Sequence, residues 1–207
     1  VTTKILIATT NPGKKAELAA MLDSHIEWLT LDELPGVGEV PEDGETFEEN
    51  ARKKALGYAE AVGIWTLADD SGLVIDWLDG RPGVRSARYC GSKPPEAERT
   101  LIDHRNIEKV LEEMQGVPKK QRTARFVCCI CLAKPSGVLL ESKGTVEGVI
   151  TEEKIGSGGF GYDPIFYVPE LRKTMAQLDG EQKNKISHRG RAIKTLKPKL
   201  ERLLAGL

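Results

Sequence analysis

The 207-residue chain lacks the marks of several protein classes. No stretch approaches the roughly 18 consecutive apolar residues that cross a bilayer, so no membrane role is expected. Neither charge dominates: 30 Lys and Arg stand against 31 Asp and Glu, a formal net charge of −1. A nucleic-acid partner is therefore not expected, because such binding needs a basic footprint. Aromatics make up only 5%, and no basic, aromatic-studded face for single strands is evident. Cysteines are few: Cys90, Cys128, Cys129 and Cys131, three of them in the apolar run Phe126–Leu132. A disulfide framework spreads its cysteines, and a zinc site favours two separated CxxC pairs; neither is present. The remaining reading is buried free thiols in a reducing compartment. The first residues, VTTKILIATTN, show no small-residue cleavage site and read as a core strand rather than a signal peptide. A cytoplasmic protein is expected. Internal repeats, low-complexity tails and long linkers are also missing, so residues 1–207 are expected to form one domain.

What the chain does have is alternating helical and extended patterns. Lys4–Thr9 reads as a buried strand. Asn11-Pro12 then opens a helix, Asn as N-cap and Pro at the first helical position, with Leu18, Met21 and Leu22 on its apolar face. A polar loop carries Pro35, Gly36, Gly38, Pro41 and Gly44. Thr46 to Glu49 forms a capping box, and the helix behind it shows Phe47, Ala51, Ala55 and Ala59 at i+4 spacing before Gly63 stops it. Trp65–Ala68 and Leu73–Leu78 read as two strands with a bend at Asp69-Asp70-Ser71-Gly72. Pro94-Pro95 precedes a helix expected from Glu96 to Met114. Ala124, Phe126, Cys128, Ile130 and Leu132 keep the strand period of two. Pro135-Ser136-Gly137 turns that strand into a second, Val138–Gly148, as an antiparallel hairpin. A glycine-rich loop, Gly156–Gly161, leads into a strand at Tyr162–Tyr167, and Thr174 with Gln177 suggests another capping box. Ala192, Ile193, Leu196, Leu200 and Leu203 mark one face of a final helix. These elements favour an α/β fold with a mixed sheet over a purely parallel one.

Four segments carry groups suited to chemistry. Thr9-Thr10-Asn11-Pro12-Gly13-Lys14 follows a strand and opens a helix. Helix N-termini attract phosphate, and Lys14 adds a full charge; a plain capping motif fits the same residues. GxxxxGK[ST] is absent. Asp69 and Asp70 end a buried strand, and Glu42, Glu45, Glu48 and Glu49 surround a helix start. Hard carboxylate oxygens suit Mg²⁺, which binds through one or two carboxylates plus substrate phosphates. Glu48 and Glu49 are read as first-turn residues that complement the helix dipole. Asp70 is read as functional, because adjacent carboxylates beside a buried strand are costly without a cation. In GSGGFGYDPIF, glycines permit close backbone approach, while Phe160 and Tyr162 offer flat faces for a base. Lys183 to Arg189 is a basic cluster able to hold phosphate or read a base edge; Lys185 in it is read as solvated.

The order of these segments is informative. ILIATTNPGKKAEL, GETFEENARKKA, ADDSGLVIDWLDGRPGVRSARYCG, GTVEGVI, GSGGFGYDPIFYVPE and KNKISHRGRA resemble, nearly end to end, the inosine triphosphate pyrophosphatases, also called XTP/dITP diphosphatases, in their bacterial-type branch. The resemblance implies an elongated, two-lobed α/β fold with a central mixed sheet and a nucleotide cleft between the lobes, a homodimer, and Mg²⁺ dependence. It assigns Thr9, Thr10, Asn11, Pro12, Gly13 and Lys14 to triphosphate binding, Asp70 to proton acceptance and metal ligation, and Ser71 to substrate contact. Glu42 resembles the second metal carboxylate, with Glu39 and Glu45 as alternatives. Lys54 resembles a phosphate-facing lysine. Phe160, Gly161, Tyr162 and Asp163, with Lys183, His188 and Arg189, resemble the base and ribose pocket.

The implied reaction is hydrolysis at the α-phosphorus, releasing pyrophosphate from ITP, dITP and XTP. Such chemistry is mostly positioning and charge neutralisation. Backbone N–H groups near Asp163, with His188 and Arg189, are candidate donors to the 6-oxo group that distinguishes these bases from adenine. Two alternatives stand beside this reading: a pyrophosphatase for other modified nucleotides, and a nucleotide-binding protein without turnover.

Overall fold

The computed structural model describes residues 4–22, 26–91 and 98–206. Its first strand, β1 (Lys4–Ile7), is buried at Ile5, Leu6 and Ile7. Helix α1 (Pro12–Met21) starts as the sequence suggests, with the Asn11 side chain accepting from the Lys14 N–H. Strand β2 (Glu27–Thr30) pairs with β1 in parallel and was not marked by any sequence pattern. Helix α2 (Phe47–Val62) has the expected capping box, Thr46 with Glu49, and the expected stop at Gly63, which takes the left-handed conformation at φ 73°. Strand β3 (Trp65–Ile75) pairs with β1 in parallel. Helix α3 is Arg99–Glu113; Pro94, Pro95 and the expected start at Glu96 lie outside the described residues. Strands β4 (Thr123–Lys134) and β5 (Gly137–Ile150) are sheet neighbours joined by two residues, a connection only antiparallel strands can make. Short strands β6 (Phe166–Val168) and β7 (Lys173–Thr174) add on antiparallel. Helices α4 (Gly180–Ile186) and α5 (His188–Ala205) close the chain. The result is the expected α/β fold: a mixed seven-stranded sheet in the order β2-β1-β3-β4-β5-β6-β7, with helices. Among the described residues no helix is long and apolar enough to cross a membrane.

Three expectations about local structure are corrected, the first being the strand expected to reach Leu78, which ends at Ile75 and gives way to a turn of 3-10 helix at Asp76–Leu78. Asp69 to Gly72 is not a bend; β3 runs extended straight through it. These residues favour turns because their side chains hydrogen-bond local backbone. Here the carboxylates bind distant side chains instead, which removes the local competitor to the strand. Tyr162 to Ile165 is not strand either. Asp163–Ile165 is a turn of 3-10 helix, and only Phe166 onward is extended.

The chain divides into two units. Unit 1 comprises 1–70, 128–144 and 188–207; unit 2 comprises 71–127 and 145–187. Unit 1 has a core of Ile5, Ile7, Leu18, Leu67, Ile130 and Leu132 with Ala192, Ile193, Leu196 and Leu200 of the last helix. The expected apolar face of that helix is therefore present. In this unit Gly144 of β5 lies under the start of α5. A Cβ there would collide with the His188 carbonyl and the Ala192 N–H.

Unit 2 has its own core, including Leu73, Ile75, Val110, Met114, Phe126, Ile165 and Phe166. Phe126 and Phe166 meet at 4.3 Å between ring centroids. Buried Arg122 donates to the carbonyls of Ile150 (2.7 Å), Met114 (2.8 Å), Val117 (3.4 Å) and Thr151 (2.6 Å), so one guanidinium serves the backbone beyond α3 and the end of β5. Thr174 and Gln177 form the expected capping box.

Because backbone cannot retreat as a flexible side chain can, Gly144→Ala should lower the urea-unfolding free energy by about 2 kcal/mol. An unchanged urea midpoint would show that β5 does not need this close approach.

Candidate active site

In unit 1, three elements converge on the middle of β3, at Asp69 and Asp70. Residues next to each other on a strand point to opposite faces, so Asp69 and Asp70 meet different surroundings. The Asp69 side chain is buried and Oδ2 accepts from Lys14 Nζ at 2.9 Å and Arg189 Nη2 at 3.0 Å. Arg189, 1% exposed, also pairs with Glu17 of α1. Burial alone would raise the Asp69 carboxyl, but Lys14, Arg189 and Lys54 hold it far below the usual carboxylate range. Asp69 is thus a fixed anion.

Asp70 differs. Its Oδ2 accepts from Asn50 Nδ2 at 3.0 Å. Burial raises its carboxyl and nearby Glu42 adds to that, outweighing the opposing pull of Lys54, Lys14 and the Asn50 amide. Lys54, also buried, donates to the Asp69 carbonyl at 2.6 Å and to Glu42 Oε2 at 3.4 Å. Burial works against its charge, but Glu42, Asp69 and Asp70 win and raise it. Thr9 is buried and its Oγ1 accepts from the Asn11 N–H; Thr10 and Pro12 are exposed, and Gly13 and Lys14 half-buried. Unit 1 therefore gathers Lys14, Arg189, Lys54 and Glu42 around Asp69, with Asp70 held by Asn50. His188, buried at the start of α5, belongs to the same unit.

Unit 2 contains the other expected group. Asp163, buried, accepts the Phe160 N–H at 2.9 Å and pairs with Lys183 Nζ at 2.5 Å. The same ammonium lies 4.4 Å from the centroid of the Phe160 ring, a cation–π contact. Gly159 must be glycine: its φ is 72° and a Cβ would meet the Asp163 carboxylate. Gly161 donates its N–H to Asp103 Oδ2 at 2.9 Å, and the Tyr162 hydroxyl donates to the Ser86 carbonyl at 2.8 Å. The Asp163 N–H points at the Phe160 carbonyl, 3.3 Å away. So the N–H groups of Phe160, Gly161 and Asp163 are engaged inside unit 2, and Tyr162 is buried with its hydroxyl committed. Ser71 is half-buried at the start of this unit.

Three contributors have no place among the expected site residues. Asn50 sits on the buried face of α2, three residues after Phe47 and four before Lys54. A polar residue on that apolar stripe was the available signal. Glu17 and Asp103 act through partners 172 and 58 residues away, and nothing local marks them. The expected plain roles hold elsewhere: Glu49 caps α2, Glu48 pairs with Lys143, and Lys185 pairs with Glu181 in the open. The four cysteines are free, with Cys128, Cys129 and Cys131 buried.

The Ham1 family profile matches residues 5–199. The chain belongs to the Ham1 family. Its similarity to curated members is close. The dITP/XTP pyrophosphatase of Desulforamulus reducens is 50% identical over 201 residues, 97% of this chain and 96% of its own length. That of Bacillus subtilis is 49% identical, covering 95% of this chain and 96% of its own. Among solved structures, the Staphylococcus aureus Ham1 protein superposes with a TM-score of 0.83 at 43% identity, covering 96% of this chain and 98% of its own. A Ham1 protein from Coxiella burnetii gives 0.85 at 40%, with 97% and 100% covered.

Removing the Asp69 anion leaves Lys14 and Arg189 facing an uncompensated space, so Asp69→Asn should cost about 3 kcal/mol in urea unfolding at pH 7. A carboxyl held below its unfolded value of about 3.9 stabilises the fold fully above that pH and loses the contribution as pH falls toward the folded value. Wild-type stability should accordingly drop in acid more steeply than that of Asp69→Asn. Parallel acid curves would rule out Asp69 as the anion that matters.

Proposed function

We propose that this Ham1 chain hydrolyses dITP, XTP and ITP to the monophosphate and pyrophosphate, clearing deaminated purines from the nucleotide pool. The observation that carries the reading is the division between two adjacent aspartates: Asp69 neutralised by Lys14 and Arg189, Asp70 left as the less compensated carboxylate beside Glu42 and Lys54. The dITP/XTP pyrophosphatase names of relatives at 49–50% identity support it.

Unit 1 would serve the triphosphate. Thr9 to Gly13 present the N-terminus of α1, whose dipole favours phosphate. Lys14 and Lys54 balance charge on the leaving pyrophosphate. Glu42 and Asp70 would hold a divalent cation. Their oxygens are hard donors, and among the described residues no third His, Cys, Asp or Glu completes a protein cage. That set fits Mg²⁺, which keeps waters and takes further oxygens from substrate phosphates. When bound, Mg²⁺ would screen the phosphate charge and acidify a water. Asp70 accepts the proton of the attacking water.

Unit 2 would serve the base and sugar, with Phe160 stacking on the purine and Ser71 touching substrate. The loop's N–H groups at Phe160, Gly161 and Asp163 are engaged within unit 2, and the 6-oxo group would take its hydrogen bonds from other donors near Asp163, with His188 and Arg189 as candidates. An adenine 6-amino group would set donor against donor. His188 and Arg189 are carried from the family pattern as substrate contacts. Arg189 is bound to Asp69 and Glu17, and through them it also orders the carboxylates of unit 1. We further infer a homodimer working in the cytoplasm, where nucleotide pools are.

The test is pyrophosphate release with Mg²⁺ across dITP, XTP, ITP, dATP and ATP. The expected kcat/KM ratio between the 6-oxo and 6-amino substrates is roughly 10⁴; equal rates would refute the pocket. Asp70→Asn should keep the fold and lower kcat by roughly 10³-fold, and near-normal turnover would remove Asp70 from the chemistry.

A further inference from the structure

Helix α2 approaches the middle of β3 with two side chains one turn apart, Asn50 and Lys54. Each reaches both the strand and the loop before the helix. Lys54 joins the Asp69 carbonyl to Glu42. Asn50 joins Asp70 to Gly44: its Nδ2 donates to Asp70 Oδ2 at 3.0 Å, and its Oδ1 accepts the Gly44 N–H at 2.7 Å. Asn50 is 0% exposed. Its amide has one workable orientation, because reversal would put oxygen against carboxylate and NH₂ against N–H. Glycine at 44 makes this approach possible, since a Cβ there would stand 2.7 Å from Asn50 Oδ1 and 2.9 Å from Glu49 Cβ. Glu49 then accepts the N–H groups of Glu45 and Thr46 at 2.8 and 3.3 Å, so three successive residues of the loop carrying Glu42 are tied to the first turn of α2.

We propose that Asn50 is a positioning residue for hydrolysis: it fixes the Asp70 carboxylate while anchoring the Glu42 loop, so that the two carboxylates face one point. A neutral amide suits this place. It donates to Asp70 without the full charge that a second lysine would add beside Lys54. The proposal rests on the hydrolase reading, because orientation of Asp70 matters only if Asp70 reacts.

Two substitutions separate the halves of the clamp. Asn50→Asp keeps an acceptor for the Gly44 N–H and loses the donor to Asp70. Asn50→Leu keeps the volume and loses both. Melting curves of each variant confirm folding, and Asn50→Ser replaces either one that fails. Displacing a reacting group by about 1 Å costs about 100-fold in rate. Both variants should therefore lower kcat for dITP by about 100-fold while KM stays within about 3-fold, since ground-state binding is untouched. If Asn50→Asp keeps its kcat and only Asn50→Leu loses it, the loop bond alone matters and the proposal fails. A loss confined to KM overturns it equally. Wild-type protein that releases no pyrophosphate from dITP sinks the hydrolase reading and this proposal with it; active wild type with active variants sinks the proposal alone.

Discussion

The buried contact of Asp69 with Lys14 and Arg189 is the constraint on which the rest of unit 1 depends. It ties the first helix, the third strand and the last helix at one carboxylate, with Arg189 lying 120 residues beyond Asp69 in the chain. Arg189 continues the network to Glu17, back on the first helix. A buried charge is tolerable only when its partners are in place. The elements must therefore assemble in one arrangement, and that arrangement sets Asp70 on the opposite side of the same strand.

The consequence is a division of labour between neighbours of identical chemistry. Burial acts on both aspartates in the same direction, and what separates them is the number of cations each meets. Lys14, Arg189 and Lys54 hold Asp69 ionised; at Asp70 burial and nearby Glu42 outweigh Lys54 and Lys14. Asp69 ties the scaffold together, and Asp70 is the one proposed to take a proton or a cation. Unit 2 repeats the logic with Asp163, whose single carboxylate holds both a loop N–H and Lys183 and so shapes the Phe160 loop.

Features governed by near neighbours were readable in the chain. The Asn11 cap, the Thr46–Glu49 box, the Gly63 stop and the apolar stripe of α5 are all decided within a few residues; β4 is a strand as expected but is buried on both faces rather than alternating. Asp69 to Gly72 was misread as a bend because its local turn preference is overruled by Lys14, Arg189 and Asn50, none of which is close in sequence. The same reason hides Glu17 and Asp103. Strands β2, β6 and β7 are too short to carry a period. Of the residues drawn from the family pattern, Lys14, Lys54 and Arg189 meet at Asp69 in unit 1 and Phe160, Asp163 and Lys183 meet in unit 2, and Arg189 is tied to carboxylates, a role its place in a basic cluster did not suggest.

In the proposed reaction, water helped by Asp70 attacks the α-phosphorus and expels pyrophosphate. Hydrolysis of dITP in water enriched with oxygen-18, followed by mass analysis of both products, tests it directly. Attack at the α-phosphorus puts the heavy oxygen in dIMP and none in pyrophosphate. Label in pyrophosphate, or release of orthophosphate as the first product, would contradict it.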